Sequence, residues 1–257
     1  MNILLINGSP RINGNTMKIL QIFETILNST NKEENHYEYV SLSNQKIGIC
    51  KGCRACFQIS EEKCPYQDDL LVIKEKLEQS DVIIIGSPVY VEDISGLLKN
   101  WIDRMAFNTH RPFLCGKPVY IFSTSGSGAS KHAIKTLKHT FLAWGATMIA
   151  QDNFSMGTKM SLEDANTKFS NLIYDRTKTL MLCKAKKRIP LFSLIGFSVQ
   201  KKYWKMKSSQ ENLVDVTYWN HHGWLDNKCF YYQPVKVSIG KKAVVFIISK
   251  IVGFILY

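Results

Sequence analysis

Acidic residues are scarce at one end of this 257-residue sequence: residues 181–257 hold 3 Asp/Glu against 13 Lys/Arg, while residues 1–180 hold 18 against 20. The C-terminal part thus has a balance of +10 within a whole-chain formal charge of +12. That imbalance suits contact with an anionic surface, a membrane rather than nucleic acid, or a solvated basic face. A long uninterrupted apolar run is also missing. The final stretch "KKAVVFIISKIVGFILY" is broken by Lys250, and a spanning helix needs about 20 predominantly apolar residues. An interfacial helix and a helix packed between subunits both fit it. The opening "MNILLINGSP" lacks a basic n-region and runs straight into a strand pattern, so a cytoplasmic protein is expected, with peripheral membrane contact through the C-terminus left open. Seven cysteines in such a chain read as ligands or reactive thiols rather than a disulfide framework. Neither familiar nucleotide motif is present: the spacing G-x-G-x-x-G is absent, as is G-x-x-x-x-G-K-[ST].

What is present is a chain that is 45% apolar, enough to fill a core. Short β-rich runs at Ile3–Ile6, Tyr37–Leu42, Val82–Ile85, Val119–Phe122 and Thr147–Phe154 alternate with helical stretches. The helices are expected over Thr16–Leu27, Asp68–Gln79, Ser95–Phe107, Lys131–Trp144 and residues 159–182. This pattern predicts a doubly wound α/β fold, a five-stranded parallel sheet covered on both faces. Ligands of such sheets sit beyond the C-terminal strand ends, so the loops after the first, third and fourth strands carry the interest.

After strand one comes "GSPRINGNT" (8–16), rich in hydroxyl and amide groups and placed at a helix N-terminus. It reads as a cradle for one monoester phosphate. After strand three, "GSPVYVEDISGLLKNWIDR" (86–104) offers an apolar and aromatic tip. After strand four, "STSGSGAS" (123–130) offers backbone donors. Phosphate, flat apolar surface and donors to a ring edge together suit a phosphorylated planar cofactor with the shape of flavin mononucleotide (FMN).

At these residues, over roughly 1–155, the chain resembles the NAD(P)H-dependent FMN reductase family, whose fold is flavodoxin-like. By that resemblance Ser9, Arg11, Asn13, Asn15 and Thr16 hold the phosphate. Pro88, Val89 and Tyr90 lie against the isoalloxazine, and Thr124, Ser125, Gly126, Ser127 and Gly128 border its pyrimidine edge. Asp103 and Arg104 are expected to form an ion pair on a helix face.

"CKGCRACFQISEEKCP" sets Cys50, Cys53, Cys56 and Cys64 in a C-x2-C-x2-C-x7-C arrangement. Such spacing suits a single iron–sulfur cubane with four thiolates, and the segment resembles the compact motif of the iron–sulfur flavoproteins, a branch of the same group. A zinc site and free, oxidation-prone thiols use the same residues. Lys51, Arg54 and Lys63 are expected to lower the thiol pKa values. Cys115, Cys183 and Cys229 are isolated and read as structural, and His221–His222 as a solvated turn.

The expected organisation is a flavodoxin-like FMN-binding domain over 1–182 and a basic, aromatic-rich C-terminal extension over 183–257. The extension would serve as a lid, an oligomer contact or a membrane-surface contact. The resemblance implies a flavin oxidoreductase, reduced by NADH or NADPH, that passes electrons to a small-molecule or protein acceptor. An iron–sulfur cluster would be a second cofactor. Relatives commonly place the flavin near a dimer interface, so a homo-oligomer is expected. A flavodoxin-type electron carrier, or a non-enzymatic membrane-surface protein on the same fold, shares these features.

Overall fold

Five short apolar runs become five parallel strands: β1 (Asn2–Asn7), β2 (His36–Ser41), β3 (Val82–Pro88), β4 (Pro118–Ser125) and β5 (Thr147–Ser155). Their order in the sheet is β2-β1-β3-β4-β5, the flavodoxin-like arrangement. The computed structural model describes residues 1–30, 34–128, 130–157, 160–182, 189–209, 213–234 and 236–256. Ile3 of β1 lies opposite Tyr37 of β2 and Val82 of β3, which fixes the register of the central strands.

Alternation along each strand feeds two cores. Leu4, Ile6, Ile83, Ile85, Val119 and Ile121 point to one face, under α3 (Leu70–Gln79), α4 (Gly96–Arg104) and α5 (Lys131–Ala143). Ile3, Leu5, Val82, Ile84, Tyr120 and Phe122 point to the other, under α1 (Asn15–Thr30) and α6 (Leu162–Leu182). With both faces covered, the strands carry no polar side, which is why "VIII" and "VYIF" read as continuous apolar runs.

Several helix boundaries differ from the expected ones: α1 runs on to Thr30, α6 starts at Leu162, and a one-turn α2 (Ala55–Gln58) forms where no helix was expected. The α3 helix starts at Leu70, because the Asp68 carboxylate is held by Gly48, Leu70 and Arg104 instead of opening the helix. The α4 helix ends at Arg104, and Ala106–Thr109 tightens into a 3-10 turn.

The C-terminal extension is helical and builds a third apolar cluster of its own. Helices α7 (Leu191–Lys207), α8 (Val214–His221) and α9 (Ile239–Leu256) contribute to it. At its centre Trp219 is fully buried, stacked on Phe197 at 5.5 Å. The Trp219 indole N–H donates to the His110 carbonyl at 2.7 Å, and the Tyr218 hydroxyl to the Pro112 carbonyl at 2.9 Å. The aromatic stretch "YWNHHGW" is therefore the contact that seats the extension on the chain between α4 and β4. His221 and His222 sit exposed at the end of α8, as the solvated-turn reading expects. Cys183 lies outside the described residues. Among the described residues, no helix is long and apolar enough to cross a membrane.

Replacing Trp219 with Ala removes a large buried ring and its hydrogen bond. We expect a loss of about 3–5 kcal/mol in chemical denaturation, together with faster proteolysis within residues 189–256. Unchanged stability would show that the extension is not seated through this residue.

Candidate functional site

The sheet's switch point lies between β1 and β3. The chain leaves β1 for α1 on one face and β3 for α4 on the other, so the strand ends open a crevice. Two glycines set its floor. The Gly8 N–H donates to the Gly86 carbonyl at 2.8 Å. A Cβ on Gly8 would lie 2.7 Å from Leu98 Cδ2 and 2.8 Å from the Gly86 oxygen. One on Gly86 would lie 2.2 Å from the Phe122 ring.

Above this floor the three loops form one cleft of about 360 Å³, of the size of a small-ligand site. Ser9, Arg11, Asn15 and Thr16 line one end, where α1 begins and its free N–H groups point outward. Pro88, Val89 and Tyr90 form a wall, and Thr124, Ser125 and Gly126 close the other side. Ten of the thirteen residues expected at a flavin thus share one cleft. Asn13 and Ser127 are exposed and do not line it. Gly128 is turned away, its N–H bound to Ser125 Oγ at 3.0 Å, so that donor is not offered to a ligand. Gly157, after β5, lines the cleft and was not singled out in the sequence.

Internal hydrogen bonds hold this cradle in shape. Asn7 Oδ1 accepts from the Ser9 N–H at 3.1 Å, and Ser9 Oγ accepts from the Arg11 N–H at 3.1 Å. The buried Thr16 hydroxyl meets that of Thr124 at 2.9 Å, tying the first loop to the third. Arg11 is exposed and, among the described residues, has no acidic partner. Among the described residues, no Asp or Glu lines the cleft. One end therefore favours an anion, and the wall favours a flat apolar body. At the lip, Tyr90 and Asp93 exchange backbone hydrogen bonds of 2.9 and 3.2 Å around Val91 and Glu92, with φ of 48° and 66°. A β-branched residue is strained in that conformation.

The cysteine loop is pinned beside α4. Arg104, almost fully buried, forks onto both oxygens of Asp68 at 2.7 and 3.1 Å and donates to the Gly48 carbonyl at 2.9 Å. Asn100 Oδ1 accepts from the Cys50 N–H at 3.1 Å, and Asn100 Nδ2 donates to Gly48. Asp103 and Arg104 are not paired with each other. Adjacent helical residues point in different directions, so Asp103 pairs with Lys99 one turn away and Arg104 with Asp68. Farther along, Arg111 donates to the Cys56 carbonyl and lies 3.5 Å from Glu61.

Cys50 and Cys53 are exposed, Cys56 and Cys64 half-buried. Burial pushes the Cys56 thiol up, reinforced by Cys64 and Cys50, and this outweighs the opposing influence of its backbone hydrogen bond and Arg111. The expected lowering by Lys51, Arg54 and Lys63 is not seen there, because desolvation dominates at a half-buried sulfur. Cys115 is pushed up to about 12 by burial, and Cys229 Sγ sits 3.2 Å from the Tyr231 carbonyl, both in keeping with structural roles. Among the described residues, no three His, Cys, Asp or Glu side chains converge on a metal position. The donor set nevertheless fits a thiolate-held cluster in its chemistry. Four free thiols share one loop, with the buried Arg104 interacting with Cys64 and Arg111 donating to the Cys56 carbonyl.

Comparison with known proteins places this geometry in context. The sequence model of the NADPH-dependent FMN reductase family matches residues 1–161. An iron–sulfur flavoprotein of Archaeoglobus fulgidus is 33% identical over 141 residues, covering 54% of this chain and 61% of that protein. An iron–sulfur flavoprotein of Clostridioides difficile is 26% identical over 229 residues, 87% of this chain and 99% of that protein. Thus the chain spans less than two thirds of the archaeal relative but nearly all of the clostridial one. Among solved structures, a flavone reductase shares the fold with a TM-score of 0.57 at 16% identity, covering 72% of this chain and 64% of that one. RosB, solved with bound 8-demethyl-8-formylriboflavin-5'-phosphate, covers 93% of this chain and 92% of its own with a TM-score of 0.56 at 13% identity.

The Asp68–Arg104 pair leaves a pH signature. Burial alone would raise the Asp68 pKa, but Arg104 and the N–H groups of Gly48 and Leu70 outweigh it and hold the carboxyl below its ordinary 3.8. A depressed pKa contributes stability above the unfolded value, and that stability is lost as pH falls through the folded value. Asp68→Asn should cost roughly 3 kcal/mol at neutral pH, with the gap to the wild type narrowing below pH ~4. A gap that does not change with pH would remove the pair from the account.

Proposed function

This chain belongs to the NADPH-dependent FMN reductase family, and from that premise we propose that it is an FMN-containing oxidoreductase reduced by NADH or NADPH. The observation that carries the proposal is the meeting of three sequence-separated loops, at residues 9–16, 88–90 and 124–126, in one cleft at the switch point. In this reading Arg11, Ser9, Asn15 and Thr16 bind the phosphate with the N-terminus of α1. Pro88, Val89 and Tyr90 support the isoalloxazine, and Thr124, Ser125 and Gly126 face its polar edge. Bound FMN supplies hydride and electron chemistry. The chain's own contribution is to bind and orient the ring and to keep one side of the cleft open to donor and acceptor in turn.

Cys50, Cys53, Cys56 and Cys64 would hold a second redox group, an iron–sulfur cluster. The names of the relatives support this, as do four free thiols on one loop at the C-x2-C-x2-C-x7-C spacing. Metal binding would draw the thiols together, since ligands commonly assemble only with the metal. Electrons would then leave singly, toward a small-molecule or protein acceptor.

Arg11→Ala separates the phosphate role from a general one. FMN affinity should fall by about 1.5–3 kcal/mol, the range for a hydrogen bond to a charged group, while riboflavin affinity stays unchanged. Equal losses for both ligands would contradict the assignment. Flavin absorbance that does not bleach with either NADH or NADPH under anaerobic conditions would favour an electron carrier instead.

Protein prepared without oxygen should carry about four iron and four sulfide per chain. Cys56→Ala should lose most of that iron and keep its FMN, because the ring and phosphate loops are separate elements. Flavin-replete anaerobic protein without iron would leave Cys50, Cys53, Cys56 and Cys64 as surface thiols.

A further inference from the structure

The α9 helix is apolar on the side that faces away from the protein. Its inner side packs against α7 through buried Ser249 and half-buried Val245, Ile248 and Val252. Its outer side presents Ile239, Phe246, Ile247 and Ile251, each more than half exposed, along with Val244. A helix that covers a soluble core shows the reverse pattern, with polar residues outward. Here the apolar stripe runs for about 18 Å, from Ile239 to Ile251 at 1.5 Å per residue.

Lysines border the stripe, and α9 has no acidic residue. The Lys250 ammonium lies 4.7 Å and that of Lys202 5.9 Å from the centre of the Phe246 ring. Lys242 lies 4.2 Å from the ring of Phe230, itself partly exposed. Among the described residues none of these lysines has a carboxylate within ion-pair distance. Burial lowers the Lys202 pKa, and the nearby Lys250 charge lowers it further. Like charges are thus crowded around an exposed aromatic ring.

We propose that α9 lies flat on an anionic lipid surface, its outer apolar side chains in the headgroup–acyl boundary and its lysines on lipid phosphates. Charge decides between the possible occupants. Pairing this face with a second copy would bring two lysine-rimmed surfaces together, each on a segment with a balance of +10. An anionic bilayer offers the opposite charge as well as an apolar interior for Phe246, Ile247 and Ile251. The helix rests on the membrane and does not span it, and long lysine side chains beside a buried stripe can reach up to the phosphates. This surface is independent of the flavin reading, since no residue of the cleft belongs to it.

The test is flotation of the full-length, flavin-loaded protein with vesicles of phosphatidylcholine alone or mixed with phosphatidylglycerol. Binding to the mixed vesicles should be at least about tenfold tighter at low salt, and should be lost toward 1 M salt, where the screening length is about 3 Å. Ile247→Glu and Ile251→Glu should each weaken it by about tenfold or more without changing FMN content, since both side chains point outward. Lys250→Gln should weaken it about fivefold, as for one lysine near an anionic surface. Absence of binding to mixed vesicles at low salt, or equal binding to neutral ones, would overturn the proposal. So would light scattering that shows a lipid-free dimer which Ile247→Glu converts to monomer, because the face would then belong to a second copy.

Discussion

The close approach of Gly8 to Gly86 is the constraint on which the site depends. At the switch point β1 and β3 send their chains to opposite faces, and the crevice between them is useful only if its floor is bare backbone. The 2.8 Å hydrogen bond between these glycines, and the lack of room for a Cβ at either one, meet that need. Leu98 of α4 packs onto the same spot, so the second loop is placed by the contact that shapes the first. Ser95 extends the link: its hydroxyl donates to the Gly8 carbonyl at 2.5 Å and accepts from the Leu98 N–H at 3.1 Å, capping α4. One small region thus orders the loop after β1, the Pro88–Tyr90 wall and the helix that carries Asn100 and Arg104 to the cysteine loop.

A second junction lies between α4 and β4. His110 is 2.9 Å from Asp215 of α8, and Arg111 is 3.4 Å from the same carboxylate. Phe57 from the cysteine loop and Trp204 from α7 pack edge-on against the His110 ring at 4.9 and 5.2 Å. The cysteine loop and the C-terminal extension therefore rest on one short segment, with Arg111 touching both. The extension thereby takes part in holding Cys56 in place, and it is more than an appendage on the sheet.

The sheet and three of its loops were legible in the sequence because they rest on local rules. Apolar runs bounded by small polar clusters give the strands, and the loops after β1, β3 and β4 must lie at one edge of a parallel sheet. What was not legible depends on distant partners. Arg104 looked like half of an ion pair with Asp103, yet helix geometry separates neighbours and Asp68 lies across the fold. The orientation of Gly128 is set by Ser125. Gly157 joins the cleft only because β5 ends beside β4. The aromatic residues of the extension, scattered in sequence, become a core only once Trp219 and Tyr218 reach the carbonyls of His110 and Pro112. Burial at Cys56 likewise overrode the basic neighbours that its sequence displays.

Amide hydrogen exchange with and without FMN tests the central claim most directly. The account predicts that added FMN slows exchange in three separate segments, residues 9–16, 88–90 and 124–126, with little change in α7 and α8. Protection that falls mainly in the C-terminal extension, or is confined to one of the three loops, would contradict it.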